Sequence, residues 1–452
     1  MKKSITYYPA ALIGKAMYRL MRLMHKNATN LPGEVALILC PKLLSCFKMP
    51  KTVIVVTGTN GKTTVTNLIG NALKKRRIDI ITNSLGGNVD TGVASVLLAN
   101  SKLNGTLKKD TVLLEMDERS ASRILPYIQP DYLVCTNLLR DSMKRNAHTG
   151  YIFNRISPYI PKKTHLILNA DDLISSQLAP ENSRTYFSVN QLEGEIPTTD
   201  NIICDILYCP KCETKLEYKM KHYNHLGKAV CPKCGYTNAQ PQFRAFEAKN
   251  GTLSLEHDGC KETYPLPNDR IIDVYNTTTA VSFLRTYGWS EDEVIDSLSD
   301  AEIVKTRYDK TLLRGKNFYN MLAKGQSSIA CSATFDSVRK IKGTKGVILI
   351  LDDFYDGLHS SENIAWLYDT DFEFLNGDDF TQFVVGGARA EDVKIRLMLA
   401  GVSEEKIICC RHEMDTYKLL QWDKFDNLVL LYEVYNIGYA EQIMKELREG
   451  EK

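Results

Sequence analysis

Val53 to Thr57 is an unbroken run of β-branched residues, and it ends in the glycine-bearing turn Gly58-Thr-Asn-Gly61. Behind the turn, Val65, Leu68, Ile69, Ala72 and Leu73 recur at helical spacing. The pattern predicts a strand, a tight loop and a helix. The same design returns along the chain. Short apolar runs at 111–114, 132–134 and 166–168 end in Glu115, in Thr136-Asn137 and in Asn169-Ala-Asp-Asp172, with helical stretches between them. Strands alternating with helices predict a doubly wound parallel α/β sheet whose ligand sits at the strand C-termini. Further apolar runs at 347–351, 383–385 and 428–432 predict a smaller C-terminal α/β domain. The resulting division is an N-terminal helical segment over 1–50, a central domain over 51–300 and a second domain over 301–452.

Composition changes this picture little. At 452 residues the chain is long enough for two or three domains with real cores. A net charge of +3 gives no electrostatic argument for nucleic acid. No apolar run reaches the ~18 residues of a membrane span, and the N-terminus lacks the apolar stretch and cleavage site of a signal peptide. Residues 1–33 hold six basic side chains (Lys2, Lys3, Lys15, Arg19, Arg22, Lys26) and no acid. There, Leu12, Ile13, Ala16, Met17, Leu20, Leu23 and Met24 share a helical stripe. The simpler use of that stripe is packing on its own domain. A basic amphipathic helix can also lie on an anionic membrane.

The turn after the first strand carries the first chemistry. A glycine is usual five positions before Gly61, and Val56 stands there; the glycine is Gly58 instead. Backbone N–H groups from Gly58, Thr59, Asn60 and Gly61 through Thr63 and Thr64 would cradle phosphate oxygens. Lys62 would neutralise their charge, and the Thr63 hydroxyl would ligate Mg²⁺. Glu115 ends a buried strand beside this loop, where a carboxylate can hold the metal.

The second chemistry is Cys209-Pro-Lys-Cys212 and Cys231-Pro-Lys-Cys234, with eighteen residues between the pairs. That is zinc-ribbon spacing, and four thiolates make a closed, structural Zn²⁺ site inside an insertion at 204–245. Cys204 lies close enough in sequence to compete as a ligand. Twelve cysteines, four of them in these pairs, fit metal binding and free thiols in a reducing cytosol better than disulfides.

Thr57 to Thr64 resembles the ATP loop of the Mur ligase superfamily, which includes the folylpolyglutamate synthases. The Glu115-Met-Asp-Glu118 run, Leu168-Asn-Ala-Asp-Asp172 and the cysteine insertion further resemble the MurT family, the ligase subunits of lipid II isoglutaminyl synthases. The resemblance implies a Mur ligase-like fold with an ATP-binding central domain and a C-terminal domain closing over it. It implies Glu115 for Mg²⁺, Asn276 for the adenine and Arg307 near the nucleotide. It also implies that Asp356 completes the site of a GatD-type glutaminase partner in a heterodimer, alongside Lys62 as the catalytic cation of the ligase. The implied reaction is ATP-dependent amidation of the D-glutamate α-carboxylate of lipid II, at the inner face of the plasma membrane. Departures from the family stand at Ser142, at Asn146-Ala-His148, at Asp273 and over 323–327. They leave open a diverged paralogue with another acceptor or a decayed nucleotide-binding scaffold. A ligase that adds an amino acid is a further alternative, against which the ribbon speaks.

Overall fold

Parallel strands need crossover connections, and the helical stretches supply them. The computed structural model describes residues 5–84, 86–140, 148–195, 197–198, 201–299, 308–323, 327–351 and 364–449. The chain divides into two compact units, one of 1–140, 148–199 and 205–303, the other of 141–147, 200–204 and 304–452.

The first unit opens with α1 (Tyr7–Leu23) and α2 (Leu31–Leu39). Then come β1 (Thr52–Thr57), α3 (Lys62–Lys75), β2 (Ile80–Thr82), α4 (Asp90–Ala99), β3 (Thr111–Glu115), α5 (Ala121–Ile128), β4 (Tyr132–Cys135), α6 (Thr149–Ile156), β5 (His165–Asn169) and β6 (Arg184–Val189). A hairpin of β7 (Glu217–Tyr223) and β8 (Leu226–Val230) precedes β9 (Phe243–Lys249), β10 (Thr252–His257), β11 (Cys260–Pro265), α7 (Ile271–Thr286) and α8 (Glu291–Leu298). The large sheet runs β11-β10-β9-β6-β5-β4-β1-β3-β2. It is parallel from β2 to β9, and β10 and β11 add an antiparallel edge. Strand order reverses around β1, so the crevice at its carboxyl end is the topological switch point.

The sequence pattern shows the buried centre of this sheet and misses its margin. Strands β1, β3, β4 and β5 are apolar runs buried on both faces. Strands β9 to β11 mix charged and apolar residues because they are only partly buried.

Helix α1 packs on its own unit, as the simpler reading expects, but not through the stripe. It buries Tyr7 together with Ala10, Ala11 and Gly14, whose small side chains let it approach the rest of its unit closely. The stripe of larger residues, Leu12, Ile13, Leu20, Leu23 and Met24, is left exposed. Helix α7 is unusual in another way, being polar and almost wholly buried. Its hydroxyls bond back one turn, Thr278 Oγ1 to Val274 O at 2.8 Å, Thr279 to Tyr275 at 2.7 Å and Ser282 to Thr278 at 2.7 Å, so they enter the interior satisfied.

Two adjacent carboxylates after β5 join the insertion to the sheet. Asp171 accepts from Val189 N at 2.7 Å, from the Tyr275 hydroxyl at 2.9 Å and from the Lys228 ammonium. Asp172 accepts from His225 Nε2 at 2.8 Å, Leu138 N at 2.6 Å, Ile174 N at 2.8 Å and Ser175 N at 3.2 Å. Both carboxylates are fully buried.

The second unit holds β12 (Tyr308–Leu313), β13 (Lys316–Leu322), α9 (Ser328–Arg339), β14 (Lys345–Ile350), α10 (Trp366–Asp369), β15 (Phe380–Gly386), α11 (Ala390–Leu399), β16 (Ile407–Cys410), β17 (Asn427–Tyr432) and α12 (Ile437–Glu449). Its sheet runs β12-β13-β17-β14-β15-β16, and only the β12–β13 pair is antiparallel. Arg396 on α11 is buried and donates to Leu367 O at 2.9 Å, Thr370 O at 2.8 Å and Glu373 at 2.8 Å. It ties the helix to the loop before β15.

Burial works to raise the Asp172 carboxyl, but His225 and hydrogen bonds at Leu138 and Ser175 outweigh it and hold the group below its usual range. A carboxylate lowered in the fold adds stability above its unfolded value of about 3.9 and loses it as pH falls through the lower folded value. Asp172→Asn should therefore cost about 2–4 kcal/mol at neutral pH. Urea unfolding at pH 7 and pH 3 should show this loss shrinking in acid. A pH-independent loss would contradict the assignment.

Candidate nucleotide site and cysteine cluster

The loop between β1 and α3 is shaped by two close approaches. Gly58 has φ +127°, and a Cβ there would lie 2.2 Å from Thr136 Oγ1. Gly61 has φ +85°, and its Cβ would lie 2.1 Å from Asn276 Oδ1. Only glycine fits either position. Asn137, just past β4, clamps the loop by accepting Thr59 N at its carbonyl (2.8 Å) and Asn60 N at Oδ1 (3.0 Å). Thr59 Oγ1 accepts from Leu139 N at 3.0 Å. The amides of Thr59 and Asn60 are thus spent on holding the loop. The first-turn amides of α3 have no partner within the helix and point with its positive end into the crevice, and Thr63 is exposed there.

Lys62 folds over this loop. Its ammonium donates to Gly58 O, to Thr59 O at 3.2 Å and to Glu118 Oε2 at 3.2 Å. Burial works to discharge Lys62, but Glu118, with Asp117 and Glu115, holds its ammonium above the ordinary lysine value. The Glu118 carboxyl is pushed up by burial despite Lys62 beside it. Glu115 is positioned by the asparagine-rich segment after β2. Asn83 brackets its backbone (Nδ2 to Glu115 O, 2.9 Å; Glu115 N to Oδ1, 2.8 Å), and Asn88 Nδ2 donates to Glu115 Oε1 at 3.0 Å.

The structure brings Gly58, Thr59, Asn60, Gly61, Lys62, Thr63, Thr64, Glu115 and Asn276 to one end of the sheet. Asn276 sits against Gly61. Asp273, where the family carries an amide, is turned to Arg270, with Oδ2 2.8 Å from Nε and 2.7 Å from Nη2. Arg307, Asp356, Ser142, Asn146 and Ala147 lie outside the described residues. The sequence reading left Asn137, Asn83 and Asn88 without a role and saw Glu118 only as part of an acidic run. One signal for them was topological, since each follows the carboxyl end of a parallel strand at or near β1: Asn137 after β4, Glu118 after β3, and Asn83 and Asn88 after β2.

The cysteine cluster is built by two matching knuckles. In Cys209-Pro-Lys-Cys-Glu-Thr214 and Cys231-Pro-Lys-Cys-Gly-Tyr236, the first cysteine's N–H bonds the sixth residue's carbonyl, each at 2.8 Å. Its carbonyl accepts from the fifth residue's N–H, at 2.9 Å from Glu213 and 3.0 Å from Gly235. That fifth residue is left-handed in both, with φ +58° at Glu213 and +71° at Gly235. The four Sγ atoms lie within 4.8 Å of one another, with Cys209–Cys234 at 3.5 Å and Cys212–Cys231 at 3.4 Å. A tetrahedron with Zn–S near 2.3 Å has edges of about 3.8 Å, so the donor set fits Zn²⁺. Cys204 belongs to the other unit and is not in the cluster. Among the described residues, Leu173, Leu216 and Ala229 are the other buried side chains of the ribbon's small core, too few to hold it alone.

Comparison with known proteins then decides the family. The Mur ligase middle domain matches residues 56–204, and the MurT ligase C-terminal domain matches 326–433. The MurT subunit of the glutamine-hydrolyzing lipid II isoglutaminyl synthase of Staphylococcus aureus (strain COL) is 29% identical over 416 residues, 91% of each chain. The MurT subunit of Streptococcus pneumoniae (strain R6) is 28% identical over 403 residues, 88% of this chain and 87% of its own. The chain carries the Mur ligase middle domain and the MurT ligase C-terminal domain. It is an enzyme, a carbon–nitrogen ligase. The Mur fold is also that of a pseudomurein peptide ligase type C from Methanothermus fervidus, at 19% identity and a TM-score of 0.66, covering 90% of this chain and 81% of that one. Among the described residues no helix is long and apolar enough to cross a membrane.

Lys62→Ala removes the ammonium that closes over the loop and strands the buried Glu118. ATP turnover should fall by about 10³-fold or more, and stability by about 2–3 kcal/mol. Adding Glu118→Gln should restore most of the stability and none of the turnover. Unchanged turnover in Lys62→Ala would overturn the site. The cluster should hold one zinc per chain, lost together with ribbon stability in Cys212→Ser/Cys231→Ser. Metal analysis that finds no zinc in reduced, carefully purified protein would remove the ribbon assignment.

Proposed function

We propose that this ligase amidates the α-carboxylate of D-glutamate in lipid II, giving D-isoglutamine, at the expense of ATP. The observation that carries the reading is end-to-end similarity to MurT subunits, 91% of both chains in one case, combined with a built phosphate loop. The α3 amides, Lys62 and Thr63 would hold the triphosphate, with Asn276 beside them. A Mg²⁺ ion between Thr63 and Glu115 would offset charge on the phosphate oxygens. The carboxylate attacks the γ-phosphorus, ADP leaves, and ammonia then displaces phosphate from the acyl phosphate. Lys62 offsets charge on the transferring group, and positioning supplies much of the rest.

The nitrogen would come from glutamine through a GatD-type glutaminase subunit. The MurT relatives are themselves named as subunits of a glutamine-hydrolyzing synthase. Asp356 is the residue proposed to orient the partner's catalytic histidine, as the third member of a Cys–His site.

A second reading keeps the chemistry and changes the recognition. Asp273 offers a carboxylate, already paired with Arg270, where MurT proteins carry an amide. A carboxylate cannot donate to adenine as an amide does, which favours a diverged nucleotide or acceptor preference.

Purified chain supplied with lipid II, ATP and ammonium chloride should form the amide alone, and should need the glutaminase subunit to use glutamine. Asp356→Asn should impair the glutamine-dependent reaction by orders of magnitude and spare the ammonium-dependent one. Equal losses with both nitrogen sources would move Asp356 into the ligase site. ATP turnover without any amidation of lipid II would favour the second reading.

A further inference from the structure

Helix α1 has two apolar faces, and among the described residues only one is covered. Tyr7 and the small residues Ala10, Ala11 and Gly14 are buried. Leu12, Ile13, Ala16, Leu20 and Leu23 fall together on the opposite face at helical spacing, and all are exposed, Leu20 at 58% and Leu23 at 78%. On α2, Leu31 and Ile38 add further exposed aliphatic surface, Ile38 at 73%.

Charge around this face has one sign. Residues 1–50 carry eight lysines and arginines and a single acid, Glu34. Lys15 is turned inward, its ammonium bonding the carbonyls of Leu98 and Ser101. Arg19, Arg22 and Lys26 are exposed, and Arg19 borders the stripe beside Leu12 on the helical wheel.

From this face we infer that α1 docks the protein on an anionic phospholipid surface. Leucines and isoleucines would enter the acyl boundary while the arginines meet lipid phosphates. A protein partner is the weaker fit. The stripe is aliphatic, whereas binding hot spots favour Trp and Tyr seated in pockets. Because α1 is already folded against its own unit, docking orders no chain, which separates it from peptides that fold only on the membrane. The inference rests on the helix face and not on the proposed reaction, although a lipid-linked acceptor would make the location useful.

The test uses the full chain without ATP or lipid II, so that it can fail separately from the amidation reading. Vesicles of equal parts phosphatidylglycerol and phosphatidylcholine should bind the protein in a flotation assay, and pure phosphatidylcholine should bind it far less. Binding should weaken steeply between 50 and 500 mM salt. Arg19→Gln/Arg22→Gln should weaken it by about thirtyfold, and Leu20→Gln/Leu23→Gln should abolish it. Both pairs are exposed, so thermal unfolding should stay within a degree or two of the parent. Absence of binding to anionic vesicles overturns the inference. So does binding that Leu20→Gln/Leu23→Gln leaves unchanged, or a dimer in light scattering that this variant breaks while vesicle binding persists.

Discussion

A fully buried carboxylate is tolerated only where hydrogen bonds and a cation replace the water it has lost, and the first unit is assembled around such a site. Asp172 collects amides from the segment after β4 and from its own turn, and it holds His225 from the ribbon hairpin. Leu138, which gives it one of those amides, directly follows Asn137, the residue that clamps Thr59 and Asn60 of the phosphate loop. Asp171 next to it joins the hairpin to α7 through Lys228 and Tyr275, and α7 carries the asparagine that lies against Gly61. The loop after β1, helix α7 and the cysteine ribbon are therefore fixed to one pair of adjacent carboxylates. This gives the ribbon a physical reason to exist in an enzyme whose chemistry needs no thiolate. A metal on its four thiolates would cross-link an insertion whose own core is too small to fold alone, and its hairpin is tied to the sheet through His225 and Lys228.

Much of this was legible in the sequence where burial is two-sided. A strand covered on both faces must be an apolar run, so β1, β3, β4 and β5 stand out. The edge strands β9 to β11 did not, because a half-exposed strand needs no such run. Helix α1 shows a subtler limit. Its conspicuous stripe of large residues suggested a packing face, yet the face that packs is the small one, because close helix approach selects for alanine and glycine. Periodicity finds apolar faces without saying which neighbour covers them.

The site divides in the same way. Loop glycines, Lys62 and the cysteine pairs announce themselves because their spacing is the chemistry. Glu118, Asn137 and His225 do not, since each acts through a partner remote in sequence, at 3.2 Å from Lys62, 3.0 Å from Asn60 N and 2.8 Å from Asp172 respectively. The Lys62–Glu118 pair also changes what the loop lysine means. In this arrangement its charge already has a counter-ion, so the lysine contributes to the fold, and a bound phosphate would have to compete for it.

The central claim is that the loop at the end of β1 transfers a phosphoryl group to a carboxylate. A single turnover of lipid II carrying ¹⁸O in the D-glutamate α-carboxylate, with ATP and ammonium, tests it most directly. The account predicts one labelled oxygen in the released inorganic phosphate, because the acyl C–O bond breaks when ammonia attacks. Label appearing in AMP, or amide formed with no label in phosphate, would contradict it.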